Sequence, residues 1–120
     1  MADQVPIQLR EMLSNDSQWD FDVIRLEKLT GKRPLVWLGM TIMTRLEVTQ
    51  TLRCDEATLQ NWLTVIEANY HQANAYHNST HAADVLQVAA GRIFPFFFPH
   101  RYSYTCHMTQ YRSYDLMQAI

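Results

Sequence analysis

Between Val5 and Ala90 apolar residues return every three or four positions, the period of one face of an α-helix, and no strand signal interrupts them. The pattern predicts an all-α chain. A first helix is expected from about Val5 to Leu13, with Ile7, Leu9 and Met12 or Leu13 inward, and Ser14-Asn15-Asp16-Ser17 forms a polar break after it. Asp20 or Asp22 can cap a short second helix carrying Val23, Ile24 and Leu26. Gly31 suits a left-handed cap at its end, and Pro34 suits the first turn of a third helix running to about Val48, with Leu35, Leu38, Ile42 and Leu46 inward.

The clearest amphipathic stretch follows Asp55, a good helix cap: Leu59, Trp62, Leu63, Ile66 and Tyr70 fall at i, i+3, i+4, i+7 and i+11 and should bury one continuous face. A break is expected around Asn74-Ala75, and Asn78 can cap a fifth helix that takes in positions 81–90. Beyond Ala90 the pattern changes. Eight of the fourteen aromatic residues crowd into the last thirty positions without helical or alternating period, and Pro95 and Pro99 flank the run Phe96-Phe97-Phe98. That part is expected to be an irregular, aromatic-rich tail. The expected organisation is an N-terminal helix and connector over 1–16, a helical unit over 17–88 and a divergent tail over 89–120.

Composition narrows the function classes. A chain of 120 residues has room for one small domain, burying about two thirds of the surface it exposes when unfolded. Ten Lys and Arg against twelve Asp and Glu, with no run of five like charges, give no footprint for nucleic acid or for a membrane surface. The longest mainly apolar run, Ile93 to Pro99, is far short of the roughly 20 residues that span a bilayer. No basic cluster with an apolar stretch opens the chain, so Cys54 and Cys106 are expected as reduced thiols in a cytoplasmic protein.

The chemistry concentrates between Tyr70 and Val85, which hold three of the five histidines: His71, His77 and His81. His77 and His81 are four apart, so if both are helical they share a face and can hold one divalent ion through their imidazole nitrogens. Asp84 is three residues further on and could orient His81. The same spacing also fits two histidines at a helix end with no ligand, Asn78 serving only as a cap. His71, beside the apolar face that ends at Tyr70, is expected as a satisfied core group. There is no His-Glu-x-x-His, which disfavours a zinc protease.

Taken as a whole string, Tyr76-His77-Asn78-Ser79-Thr80-His81-Ala82-Ala83-Asp84-Val85 resembles the first signature of the class I cyclic nucleotide phosphodiesterases. The resemblance runs back through Trp62 to His71 and through Lys32-Arg33-Pro34-Leu35 to about Asp20, and in detail is most similar to the cAMP-specific type 8 subfamily. It implies the opening helices of an all-helical catalytic bundle with a deep pocket holding two metal ions, Zn2+ and Mg2+ (or Mn2+). It further implies hydrolysis of a 3′,5′-cyclic nucleotide, cAMP by subfamily, to the 5′-monophosphate. On the matching positions His77 is the general acid for the departing 3′ oxygen, His81 is a zinc ligand, Tyr76 lines the pocket near the phosphate, and Asp84 is a candidate to orient His81.

The resemblance fades after about Leu86-Gln87, and the family's further metal ligands, beginning with a His-Asp pair, find no match because this sequence contains no His-Asp dipeptide. One histidine ligand does not assemble two metals, so this chain is expected to be inactive alone. A second reading is a non-catalytic isoform whose uncovered helical faces bind a full-length phosphodiesterase. A third, a small zinc domain built from Cys54, Cys106 and the histidines, is disfavoured by their irregular spacing.

Overall fold

The computed structural model describes residues 5–93, and the expectation of an irregular tail falls mainly outside them. Among the described residues the chain is all-α. It has six α-helices: α1 (Ile7–Ser14), α2 (Val23–Leu29), α3 (Pro34–Arg45), α4 (Val48–Leu52), α5 (Glu56–Asn69) and α6 (Ser79–Val88), the last continuing into a wide π-helical turn over Ala89–Ile93. No helix among these residues is long and apolar enough to cross a membrane.

Local signals place the helix ends. The Asp22 carboxylate accepts the Arg25 N–H at 3.0 Å, and Asp55 accepts the Thr58 N–H at 2.7 Å. After α2 the chain turns through Gly31 at φ 62°, with Lys32 N–H returning to the Glu27 carbonyl at 2.9 Å, the bond that closes a Schellman cap. Pro34 occupies the first turn of α3, where its missing N–H costs nothing.

Two expectations, on Ile7 and on the end of the third helix, are corrected for one geometric reason. Residues two apart on a helix point about 200° apart, so they do not share a buried face. Ile7 was expected inward and is 69% exposed, because α1 buries Leu9 and Leu13, four apart. On α2 the same geometry leaves Ile24 52% exposed while Leu26 is fully buried. The third helix stops at Arg45, not Val48: Glu47 adopts a left-handed conformation at φ 55°, and the bend lets both Leu46 and Val48 enter the core.

The core is built around α3, which packs against α5 and α6 and touches α2 and α4. Leu35, Leu38, Ile42 and Met43 are fully buried there, with Leu63 from α5 and Leu86 from α6. Gly39 permits the α3–α5 approach, since a Cβ at that position would stand 3.0 Å from both Leu63 methyl carbons. Small residues do the same for α6, where Ala82, Ala83 and Ala90 are buried.

Two buried carboxylates fasten the helices together. Glu67, 6% exposed, extends the Leu59–Leu63 stripe by one more turn, and its Oε2 accepts the N–H groups of Leu35 at 2.7 Å and Val36 at 3.4 Å. Those N–H groups belong to the first turn of α3, where a helix leaves its donors unpaired and its dipole is positive. Asp16, in the connector between α1 and α2, pairs with Arg45 at 3.1 Å. The buried Gln87 of α6 donates its Nε2 to the carbonyls of Asp16 at 2.8 Å and Gln18 at 3.0 Å, tying the same connector down.

Candidate functional site

The site grows from the join between α5 and α6. The helical repeat of α5 ends at Asn69, and residues 71–78 form an irregular loop whose first turn closes with Asn74 N–H on the His71 carbonyl at 3.0 Å. Asn78 is extended at φ −130°, and its side-chain oxygen accepts the His81 N–H at 3.0 Å, capping α6. His81 therefore stands in the first turn of a helix and His77 precedes the cap. The two histidines do not share a helix face.

They meet nonetheless, through the loop. The Tyr76 and His81 rings lie 4.3 Å apart between centroids with a 35° tilt. Tyr76 meets His77 edge-on at 5.0 Å, and His77 stands 5.8 Å from His81 at 78°. Tyr76 is 63% exposed and His77 is exposed, while His81 is half-buried. The cluster borders a cavity of about 350 Å³ between α2 and the start of α6, walled by Val23, Ile24, Glu27, Ala75, Tyr76, Asn78, Thr80, His81 and Asp84. Tyr76 and His81 line this cavity and His77 stands against both rings, a phenol and two imidazoles that together offer hydrogen-bond donors and acceptors to a ligand.

Asp84 lines this cavity one turn after His81. His71, expected in the core, is exposed instead, because α5 has already ended and the chain turns outward at Tyr70. Cys54 is a half-buried free thiol. Among the described residues no three His, Cys, Asp or Glu side chains come together to hold a metal ion. Zinc takes three or four protein ligands, a set that the described residues do not bring together.

Neither buried carboxylate faces the cluster, yet both are perturbed. Burial pushes the Glu67 carboxyl above its ordinary range, against the pull of the Leu35 and Val36 N–H groups and of Arg33. Burial likewise raises Asp16, against the nearby Arg45 guanidinium. Glu67 was missed as a buried anchor, although its place at i+8 from Leu59 on a buried stripe is visible in the sequence. Nothing in the spacing points to Gln72, whose Nε2 donates to the Ser79 hydroxyl at 2.7 Å and ties the loop to the first residue of α6.

No protein-family model matches the chain. Named relatives do. Over 88 residues it is 48% identical to the human high affinity cAMP-specific and IBMX-insensitive 3′,5′-cyclic phosphodiesterase 8A, covering 73% of this chain and 11% of that protein. The Drosophila melanogaster phosphodiesterase 8 of the same description is 47% identical over 85 residues, 71% of this chain and 9% of the relative. The rat 3′,5′-cyclic-AMP phosphodiesterase 4C is 37% identical over 82 residues, 68% of this chain and 15% of the relative. The chain thus spans only about a tenth of the length of the first of these relatives. By this identity, sustained over some 70% of its residues, the chain corresponds to one segment of the 3′,5′-cyclic phosphodiesterases.

Proposed function

We propose that this chain supplies the general-acid and first metal-ligand segment of a cAMP phosphodiesterase, and that it does not hydrolyse cAMP by itself. The observation that carries the reading is the meeting of the Tyr76, His77 and His81 rings, two of them lining one cavity, in a chain 48% identical to a cAMP-specific enzyme over the matching stretch. The corresponding unit is residues 17–88 and the location cytoplasmic.

The reaction opens a cyclic phosphodiester: a hydroxide adds to phosphorus, the bond from phosphorus to O3′ breaks, and O3′ takes a proton. A pair of divalent ions, Zn2+ with Mg2+ or Mn2+, would supply the activated hydroxide when bound, with His81 as the one ligand this segment would contribute. His77, exposed and edge-on to the Tyr76 ring at 5.0 Å, is the group that protonates O3′, imidazole being the side chain most often used as a general acid. His81 offers one nitrogen to a metal, its position fixed by the helix it opens. Tyr76 lies against both rings and shapes the wall nearest the phosphate. Asp84 orients His81 from the next turn.

A second reading is favoured by the shortage of donors among the described residues: the chain is non-catalytic and binds a full-length phosphodiesterase. One set of assays separates the two. The 120-residue chain, given cAMP with zinc and magnesium, is expected to show no turnover. Residues 17–88, exchanged for the matching stretch of a type 8 enzyme, are expected to support hydrolysis, with His77→Ala lowering kcat by roughly 10²- to 10⁴-fold. Full activity of that His77→Ala variant would overturn the assignment.

A further inference from the structure

Asn78 uses both ends of its amide. Its Oδ1 accepts the His81 N–H at 3.0 Å and caps α6, while its Nδ2 donates to the Asn74 carbonyl at 3.0 Å. Asp, Ser or Thr would serve as the cap equally well. Asp, however, offers only acceptors, and the single short hydroxyl of Ser does not serve two separated partners in the same way. What the asparagine adds to the cap is the second bond, which leads into the loop.

Apart from the Gln72 bond to Ser79, the loop has no buried side chain of its own to hold it. Residues 71–77 are all exposed, so apolar burial does not fix the Tyr76 and His77 rings against His81. Hydrogen bonds do so instead. The Asn78 N–H donates to the Tyr76 carbonyl at 2.9 Å, and Asn74, held by Asn78, passes its own Nδ2 to the His77 carbonyl at 3.2 Å. The carbonyls of Tyr76 and Asn74 are therefore bonded to Asn78, the residue that sets His81, and the His77 carbonyl is reached one step on, through Asn74.

We propose that Asn78 is a positioning residue for the ring cluster: its oxygen places His81 and its amide nitrogen places the Tyr76–His77 loop. The proposal rests on the reading of these three side chains as functional, but the geometry is testable without turnover. The probe is the full chain in solution, with helicity by circular dichroism, melting temperature, and the nuclear Overhauser contact between the Tyr76 and His81 rings. Asn78→Asp and Asn78→Ser keep a cap oxygen and lose the amide donor. Both are expected to keep helicity and melting temperature and to weaken the ring contact at least fivefold. Asn78→Ala should lose helicity and contact together. A ring contact retained at full strength in either capping variant overturns the proposal, as does loss of helicity along with the contact in both. Failure of His77→Ala to impair hydrolysis would sink the catalytic reading and leave this result untouched.

Discussion

The carboxylate of Glu67 in α5 accepts the backbone N–H of Leu35 in α3 at 2.7 Å, joining two helices that lie thirty-two residues apart in sequence. Its Oε2 reaches the Val36 N–H as well, while Oε1 is buried without a hydrogen bond and has Arg33 Nε at 3.8 Å. The side chain of one helix thus caps another, at the end where the dipole favours a negative group.

Removing that cap should be costly. Glu67→Ala leaves the Leu35 and Val36 N–H groups buried and unsatisfied and opens space beside Leu63, so a loss of about 2–4 kcal/mol is expected from the orphaned donors and the cavity. Glu67→Gln keeps an acceptor oxygen and volume, and should lose less than about 1 kcal/mol. Urea titration of the three proteins checks the order, and equal losses would remove Glu67 from the capping role.

The raised carboxyls of Glu67 and Asp16 set the sign of a pH dependence. Each holds its proton to higher pH in the folded chain than in the unfolded one, where the ordinary values are 4.5 and 3.8. Between its ordinary and raised values the folded state therefore binds more protons, and stability falls as pH rises through that window. Denaturation midpoints measured from pH 4 to 7 should show this fall for the unsubstituted chain and a flatter profile for Glu67→Gln with Asp16→Asn. A steeper profile in the double variant would contradict the sign.

Much of the helical frame was legible because it rests on local chemistry. Asp22, Asp55 and Asn78 act as caps within three residues of their partners, and Gly31 and Pro34 work through their own backbone limits. What stayed hidden depends on contacts far along the chain. The bend at Glu47 follows from burying Leu46 and Val48 together, which no helical period expresses. The candidate site divides the same way. The string from Tyr76 to Asp84 named its residues, whereas the joining of His77 to His81 comes from a loop braced by Asn74, which spacing alone would have set on one helix face.

Gly39 and Leu63 should behave as a coupled pair. Gly39→Ala gains about 1 kcal/mol of helix propensity but drives a methyl to 3.0 Å from the Leu63 side chain, whose crowding costs about 1–3 kcal/mol. Leu63→Ala alone, a fully buried truncation, should cost about 2–5 kcal/mol. The added methyl partly fills the space that truncation leaves. The double variant is therefore expected to be more stable than the two single losses combined, by at least about 1 kcal/mol. Simple additivity would show that the contact does not limit the approach of the helices.

Gln87 offers the sharpest separation between polar and apolar effects in the fold. Its Nε2 satisfies the carbonyls of Asp16 and Gln18, and it is only 2% exposed. Gln87→Leu keeps nearly the same volume and removes the amide with its donor, so the expected loss is about 1–3 kcal/mol, chiefly from carbonyls left without it. Gln87→Glu puts a buried carboxylate against those same oxygens and should cost more above the carboxyl pKa than below it. Because the bonds hold the connector and not the α3 core, amide exchange should accelerate first around 16–22 in Gln87→Leu. Uniform acceleration across α3, with 16–22 no faster than the rest, would mean that the side chain supports the whole bundle and not the strap between α1 and α2.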